Sequence, residues 1–276
     1  MVFSSNVFLL YFLPLFLVIY FITPRKLRNY TLLLASFIFY AYGAPEFVIQ
    51  LILSNIANFY LVKYMVKAEN VITKKILCGI SIAISIGLLF YYKYGNFTML
   101  NLNAILGIFH HEPIEWIKII LPIGISFFSF QSVTYTLDTY RGINAPMQRL
   151  TDYMLYITMF PHLVAGPIIR YCDIADQIRE RTSLMSDRLH GFYRFVLGLS
   201  KKVLIADVIG FQVDKILGPS NYDVLSAAQI QDIADKIAGL DSTTAWIVIL
   251  AFTFQIYFDF AGYSDMAIGL GRMLGF

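Results

Sequence analysis

Apolar residues along this chain fall in long windows without charge, separated by short polar stretches. A helix needs about 20 mainly apolar residues to cross about 30 Å of hydrocarbon. Several windows are slightly short, which fits tilted helices or helices buried inside a bundle. The pattern predicts membrane-spanning helices over Val7–Ile22, Asn29–Pro45, Phe47–Val62, Ile76–Tyr92, Ile119–Leu137 and Ser242–Phe258.

Two further segments have a different pattern. Apolar residues recur with helical spacing in His190–Ile216, which is interrupted by Lys201 and Lys202. This predicts a helix that begins at the membrane interface and then dips inward. Gly218–Leu240 is polar and net acidic, and we interpret it as a loop on the outer side.

Positive charges set the expected topology, since cytoplasmic loops are rich in Lys and Arg. A basic cluster, Arg25, Lys26 and Arg28, follows the first window, so the amino terminus is predicted outside and Asn96–Trp116 is another outer segment. Arg149 and Arg170 flank the apolar segment Tyr153–Ile169, and both are predicted inside. That segment therefore reads as re-entrant or bent.

Composition narrows the class of protein. The chain has 276 residues, of which 58% are hydrophobic and 14% charged, with a net charge of +3. Soluble domains carry about 25% charged residues, so this chain is predicted to be an all-α, polytopic integral membrane protein with a single membrane domain over residues 1–276. Cys78 and Cys172 lack metal-ligand spacing and are interpreted as packing residues. The many aromatic residues suit membrane interfaces, and we predict no nucleic-acid binding.

The segment FPHLVAGPIIR, Phe160–Arg170, combines an apolar sequence with residues that disturb helices. Pro161 and the Gly166-Pro167 pair bracket His162. Irregular backbone at membrane depth survives only inside protein or beside a water-filled cavity. One interpretation is a kinked core helix with a hydrogen-bonded histidine. The other is a broken segment that lines a cavity and holds an imidazole near the chemistry.

Four motifs occur in this order: LPIGISFFSFQSVTY, FPHLVAGPIIRY, GLSKKVLIAD and FQIYFDFAGYSDMAIGLGRMLGF. Together with the opening VFSSNVFLLYFLPL and the turn FYAYGAPEF, they resemble the membrane-bound O-acyltransferase family, in its bacterial alginate O-acetylation branch. The resemblance covers essentially the whole chain. It is less specific for the acceptor, because cellulose and peptidoglycan O-acetylation proteins look alike here.

The resemblance implies a multi-helix bundle with a central funnel in the bacterial inner membrane. It implies no bound cofactor and no metal; acetyl-coenzyme A or an acyl carrier protein is the expected donor. The expected partners are membrane lipid, a polysaccharide acceptor and a periplasmic or membrane-anchored acetyltransferase. The family's signature histidine, in a motif like FWRRWHISL, is absent, so we expect an amino-terminal fragment that is incomplete at its carboxyl end.

Candidate site residues follow from both lines of argument. His162 is the candidate catalytic residue, although the resemblance gives the role of principal base to the missing histidine. The candidate substrate path consists of polar residues in or beside apolar segments: Gln131, Asp138, Arg170, Asp259 and Asp265. Each has a structural alternative: hydrogen bonds between helices for Gln131 and Asp138, positive-inside topology for Arg170, and ion pairs with residues such as Arg272 for the other two.

Other functions remain open on the sequence. A close relative of the family transfers D-alanine to teichoic acid. A transporter would explain the broken apolar segment equally well, and a non-catalytic fragment is a further alternative. Gly271-x-x-x-Gly275 could mediate a helix contact.

Overall fold

The computed structural model describes residues 3–164, 166, 169–181, 184–218 and 227–276. Within these ranges the chain forms helices and no strands, which confirms the prediction of an all-α protein. The helices are α1 (Leu13–Ile22, preceded by π-helical turns Val7–Phe12), α2 (Arg28–Gly43), α3 (Val48–Lys67), α4 (Val71–Ile108), α5 (Ile125–Tyr140), α6 (Leu150–Thr158), α7 (Phe160–Leu163), α8 (Tyr171–Arg179), α9 (Met185–Ser200), α10 (Asp207–Leu217), α11 (Ala227–Ala238) and α12 (Ser242–Leu274).

Three helices of the described chain are long and apolar enough to cross a membrane: Pro45–Lys67, Val71–Ile108 and Ser242–Leu274. Val7–Ile22 is a shorter apolar helix. Only 17% of the apolar window of Val71–Ile108 is buried inside the protein, so most of that apolar surface is left for lipid. The chain is therefore a membrane protein.

The chain divides into two compact units, Ser5–Thr182 and Ser183–Gly275, apart from short terminal stretches. The first contains α1 to α8 and the second contains α9 to α12. The expectation of a single membrane domain over residues 1–276 stays a prediction.

Several boundaries differ from the sequence-based prediction. The predicted span Ile76–Tyr92 lies within the much longer α4, because Lys93 does not end the helix; its ammonium stacks 5.7 Å from the ring centroid of Tyr94. The predicted span Ile119–Leu137 becomes helical only at Ile125, after a turn at Gly124 with φ of 78°. Before that turn Ile119 is held by Asn96 of α4, whose side-chain amide bonds both its backbone N–H (2.9 Å) and its C=O (2.8 Å).

The second unit also departs from the prediction. The segment interpreted as an outer loop contains α11, and residues 219–226 lie outside the described part of the chain. The helix predicted over His190–Ile216 is confirmed. It runs through α9, a π-helical turn at Lys201–Ala206, and α10. Single π-helical turns occur often at functional sites.

A buried hydrogen-bond network joins three helices of the first unit. Asn58 of α3 accepts from the hydroxyl of Ser81 (2.9 Å) and donates to that of Ser85 (3.0 Å), both on α4. The Ser81 hydroxyl also lies 2.9 Å from that of Thr136 on α5. Inside a membrane protein such bonds link helices that lack a hydrophobic driving force for association. They hold α5, which carries the candidate polar residues, against α3 and α4.

Candidate functional site

The apolar segment that contains His162 is broken, as its prolines and glycine predict. α6 ends at Thr158, Met159 is extended with ψ of 116°, and α7 begins at Phe160. The N–H of Phe160 donates to the hydroxyl of Ser36 on α2 (3.1 Å). The Ser36 hydroxyl in turn donates to a backbone carbonyl of its own helix. A neighbouring side chain thus satisfies the backbone group that the break leaves free.

Gly124, just before α5, lies against the carboxyl end of α7. A Cβ atom at Gly124 would lie 2.4 Å from the carbonyl oxygen of Leu163, and the φ of 78° also favours glycine. Gly166 adopts φ of 105°, and residues 165, 167 and 168 lie outside the described part of the chain. Ser36 and Gly124 were not identified from sequence. In the sequence, each is only a small residue inside an apolar stretch, and such residues are too common to indicate a specific contact.

The structure brings His162 and Gln131 together. The Gln131 Nε2 atom is 2.9 Å from Nδ1 of His162, and both side chains are buried. Within the described residues, His162 Nε2 and Gln131 Oε1 are buried and have no hydrogen-bond partner. Native structures contain few such atoms, and each one calls for an explanation. The pair is therefore the strongest candidate for a functional centre in the first unit.

The structure also pairs Asp138 with Arg170. The Arg170 guanidinium lies 3.3 Å from Asp138 Oδ1; the aspartate side chain is 4% exposed and the arginine side chain 54%. Asp138 Oδ2 is another buried atom without a partner among the described residues. Asp138 follows Gln131 by seven positions on α5, so both lie on one face of the helix, about 10 Å apart along its axis. Tyr156, of α6, donates to the carbonyl of Ile169 beside the arginine (3.1 Å).

The two aspartates of the candidate path on α12 belong to the second unit, and each forms ion pairs. Asp259 contacts Lys202 (2.8 Å), which also contacts Asp207 (2.8 Å). Asp265 contacts Arg194 (3.0 Å) and Lys201 (2.6 Å). Charges within a membrane helix are expected to be paired in this way.

These pairs refine the sequence interpretation. Basic residues do meet the two aspartates, but the partners are lysines and an arginine of α9 and its π-helical turn, where the sequence suggested Arg272. Within the described residues, no group of three His, Cys, Asp or Glu side chains could hold a metal ion. The roles proposed for all six candidate site residues stay predictions.

The chain is similar to proteins that are named as enzymes of acetyl or D-alanyl transfer. The chain is 41% identical over its full length to a probable alginate O-acetylase AlgI of Azotobacter vinelandii, covering 52% of that protein. It is 29% identical over 98% of its length to a peptidoglycan O-acetyltransferase of Helicobacter pylori, covering 54% of it. It is 25% identical over 60% of its length to a teichoic acid D-alanyltransferase of Bacillus subtilis, covering 38% of it. No family model matches the chain.

Relatives over the whole chain are named as O-acetylases, and these names fit the membrane-bound O-acyltransferase family that the sequence motifs resemble. The chain spans about half the length of the curated relatives that it matches along its full length.

Similarity to proteins named as O-acetyl-transfer enzymes gives the buried centre a chemical context. An acyl transfer needs a base for the acceptor hydroxyl and donors for the oxyanion that develops on the acyl carbonyl. His162 and Gln131 offer ring and amide groups of the required kinds, in a segment whose irregular backbone the neighbouring helices support.

Proposed function

We propose that the protein containing this chain is a membrane O-acyltransferase that moves an acetyl group from a cytoplasmic donor to an extracytoplasmic polysaccharide resembling alginate. The observation that carries the proposal is 41% identity over the whole chain to a protein named for alginate O-acetylation. The buried His162–Gln131 pair supports it, because an imidazole and an amide, two groups that acyl transfer can use, meet in a broken apolar segment.

The proposed donor is a thioester such as acetyl-coenzyme A or an acetylated carrier protein. The proposed location is the bacterial inner membrane, with several passes, in contact with lipid. A periplasmic or membrane-anchored acetyltransferase is the proposed partner that completes transfer to the polymer. Three basic residues could attract an anionic donor: Arg170, Lys201 and Lys202. Each pairs with an aspartate, but Arg170 is the most exposed of the three, with 54% of its side chain accessible.

The test uses the full-length protein in a bacterium that makes alginate but lacks its own O-acetylase. We expect O-acetyl groups on the polymer with the wild-type protein. His162→Ala is expected to lower acetylation while the protein remains in the membrane at normal abundance. Full acetylation by that variant at normal abundance would remove His162 from the site. The exposed substitution Gln148→Glu is the matched control.

Asp259 tests whether the charged cluster of the second unit takes part. Asp259→Asn keeps the size of the side chain but removes the charge that meets Lys202. We expect lower acetylation with unchanged membrane insertion. Normal acetylation by this variant would assign Asp259 a structural role only.

D-alanyl transfer is the second candidate function, because part of the chain is 25% identical to a teichoic acid D-alanyltransferase. We favour acetyl transfer since the similarity to the O-acetylase is higher and covers the entire chain. Incubating membranes with acetyl and D-alanyl donors separates the two functions. Flux of a solute without any acyl transfer would favour a transporter instead.

A further inference from the structure

The hydrogen bond between Gln131 and His162 determines which ring nitrogen carries a proton. The atom of Gln131 that meets the ring is the amide nitrogen, Nε2, at 2.9 Å from Nδ1. An amide NH₂ group donates hydrogen bonds and accepts none. In this orientation of the amide, Nδ1 is the acceptor, and the neutral imidazole holds its proton on Nε2.

This tautomer changes what His162 can do. The lone pair that would make the ring a base is on Nδ1 and is occupied by Gln131. The group left without a partner among the described residues is the Nε2–H donor. Leaving a buried donor unpaired is destabilising, and a substrate oxygen that takes that bond during the reaction offsets the cost.

We propose that His162 is a neutral hydrogen-bond donor to the acyl carbonyl oxygen, and that Gln131 is a positioning residue that fixes its tautomer. The inference rests on the proposed acyltransferase function. Neutral histidine acts in this way on a substrate carbonyl in at least one well-studied enzyme. Burial favours the role, because a donor shielded from water interacts more strongly with a developing oxyanion. Nε2 is buried, so the acyl group reaches it only when the surrounding groups move.

The transfer step balances with His162 in this role. The hydroxyl oxygen of the acceptor forms a bond to the carbonyl carbon, and the π electron pair moves to the carbonyl oxygen. That oxygen accepts the hydrogen bond from Nε2–H, and the ring keeps its proton. The electron pair on that oxygen then re-forms the C=O bond, the carbon–sulfur bond of the thioester breaks, and its electron pair leaves on sulfur. The hydroxyl proton passes to a separate base of the imidazole class, which returns it to the thiolate.

The tautomer can be measured without any assay of activity. The full-length protein is labelled with ¹⁵N-histidine, and the His162 signals are assigned by their loss in His162→Gln. We expect Nδ1 to resonate as the unprotonated nitrogen and Nε2 as the protonated one. The opposite assignment in the wild-type protein would overturn the proposal.

Two substitutions separate a donor from a base. Gln at position 162 can place an amide N–H near the former Nε2 but cannot act as a base. We expect His162→Gln to stay within about 10-fold of wild type in kcat, whereas His162→Ala loses about 10²–10³, the usual effect of removing an oxyanion donor. Equal inactivity of the two variants, both at normal abundance and thermal midpoint, would overturn the donor role.

Gln131→Glu tests the positioning residue. A carboxylate only accepts hydrogen bonds, so beside a neutral ring it places the proton on Nδ1 and leaves Nε2 as a bare lone pair; the ¹⁵N-histidine spectrum of the variant verifies this state before kcat is compared. We expect kcat to fall by about 10²-fold with KM little changed, since only the transition state loses its donor. A variant with wild-type or higher kcat would identify His162 as a base and overturn the proposal. Gln148→Glu adds the same charge at an exposed position of the same unit and is the control.

The proposed function and this inference fail in distinguishable ways. If the wild-type protein transfers no acyl group while it is folded and inserted, the proposed function is wrong. If the wild-type protein is active but the tautomer or the variants behave as for a base, only the role of His162 is wrong.

Discussion

A single methyl group between α9 and α12 should destabilise the second unit. The two helices run antiparallel, with Gly191 facing Gly269 and Gly198 facing Gly262. A Cβ at Gly198 would lie 2.5 Å from the carbonyl oxygen of Gly262 and 2.7 Å from the backbone nitrogen of Met266. Ordinary contacts begin at 3.4 Å, so the backbones must separate by about 0.9 Å.

The magnitude follows from this geometry. The obstacle is backbone on both sides, which cannot rotate away as a side chain does. Overpacking of this kind costs about 1–3 kcal/mol. Helix propensity acts in the opposite direction, because Ala is favoured over Gly by up to about 1 kcal/mol in a helix. We expect Gly198→Ala to lower the stability of the protein despite its better propensity.

The assay is thermal unfolding of the purified protein in detergent. At about 2–4 °C per kcal/mol, the midpoint should fall by several degrees. Gly87→Ala on α4 is the matched control, since nothing lies within 4 Å of its added Cβ; its midpoint should stay equal or rise. Equal midpoints for Gly198→Ala and Gly87→Ala would refute the close backbone approach.

Three further predictions concern polar side chains that contact a neighbouring helix or segment. Ser36→Ala should lower the thermal midpoint, because it leaves the Phe160 N–H without its acceptor at a cost of about 1–3 kcal/mol; an unchanged midpoint would contradict the role of this bond. Asn58→Leu removes two hydrogen bonds between α3 and α4 and should lower the stability by about 0.6–2 kcal/mol, seen as a lower thermal midpoint. An unchanged midpoint would show that these bonds contribute nothing. Lys202→Met leaves two aspartates unpaired and should reduce membrane abundance, measured by immunoblot; normal abundance would show that the pairs are dispensable.

The sequence predicted the break near His162 because its cause is local. Proline lacks an N–H and clashes with the preceding turn, so Pro161 cannot continue a regular helix from α6. The same locality explains why the helix over His190–Ile216 was found. The partner of His162 was not predicted, because any polar residue on several helices could have met it. Only the packing of α5 selects Gln131.

The predicted helix boundaries were wrong where they rested on a single residue, such as a charge, that the surrounding structure accommodates. Lys93 ends a charge-free window, yet α4 continues through it, because lysine is a good helix former and a charge alone does not end a helix. The sequence also did not identify the glycines at which α9 and α12 approach each other. The sequence suggested Gly271-x-x-x-Gly275, but Gly275 ends α12 with φ of 94°, and Gly262 and Gly269 make the close approach. A glycine spacing alone does not say which side of a helix meets a neighbour.

Sequence by itself determined that this chain is an all-α membrane protein, which family it resembles and where its central segment bends. Those properties depend on hydropathy and on backbone chemistry that each residue carries wherever the chain goes. Tertiary structure alone decided that Gln131 binds His162 through its amide nitrogen, that Ser36 caps the break and that Lys202 joins two aspartates. These contacts join residues distant in sequence, so they exist only once packing has selected one face of each helix.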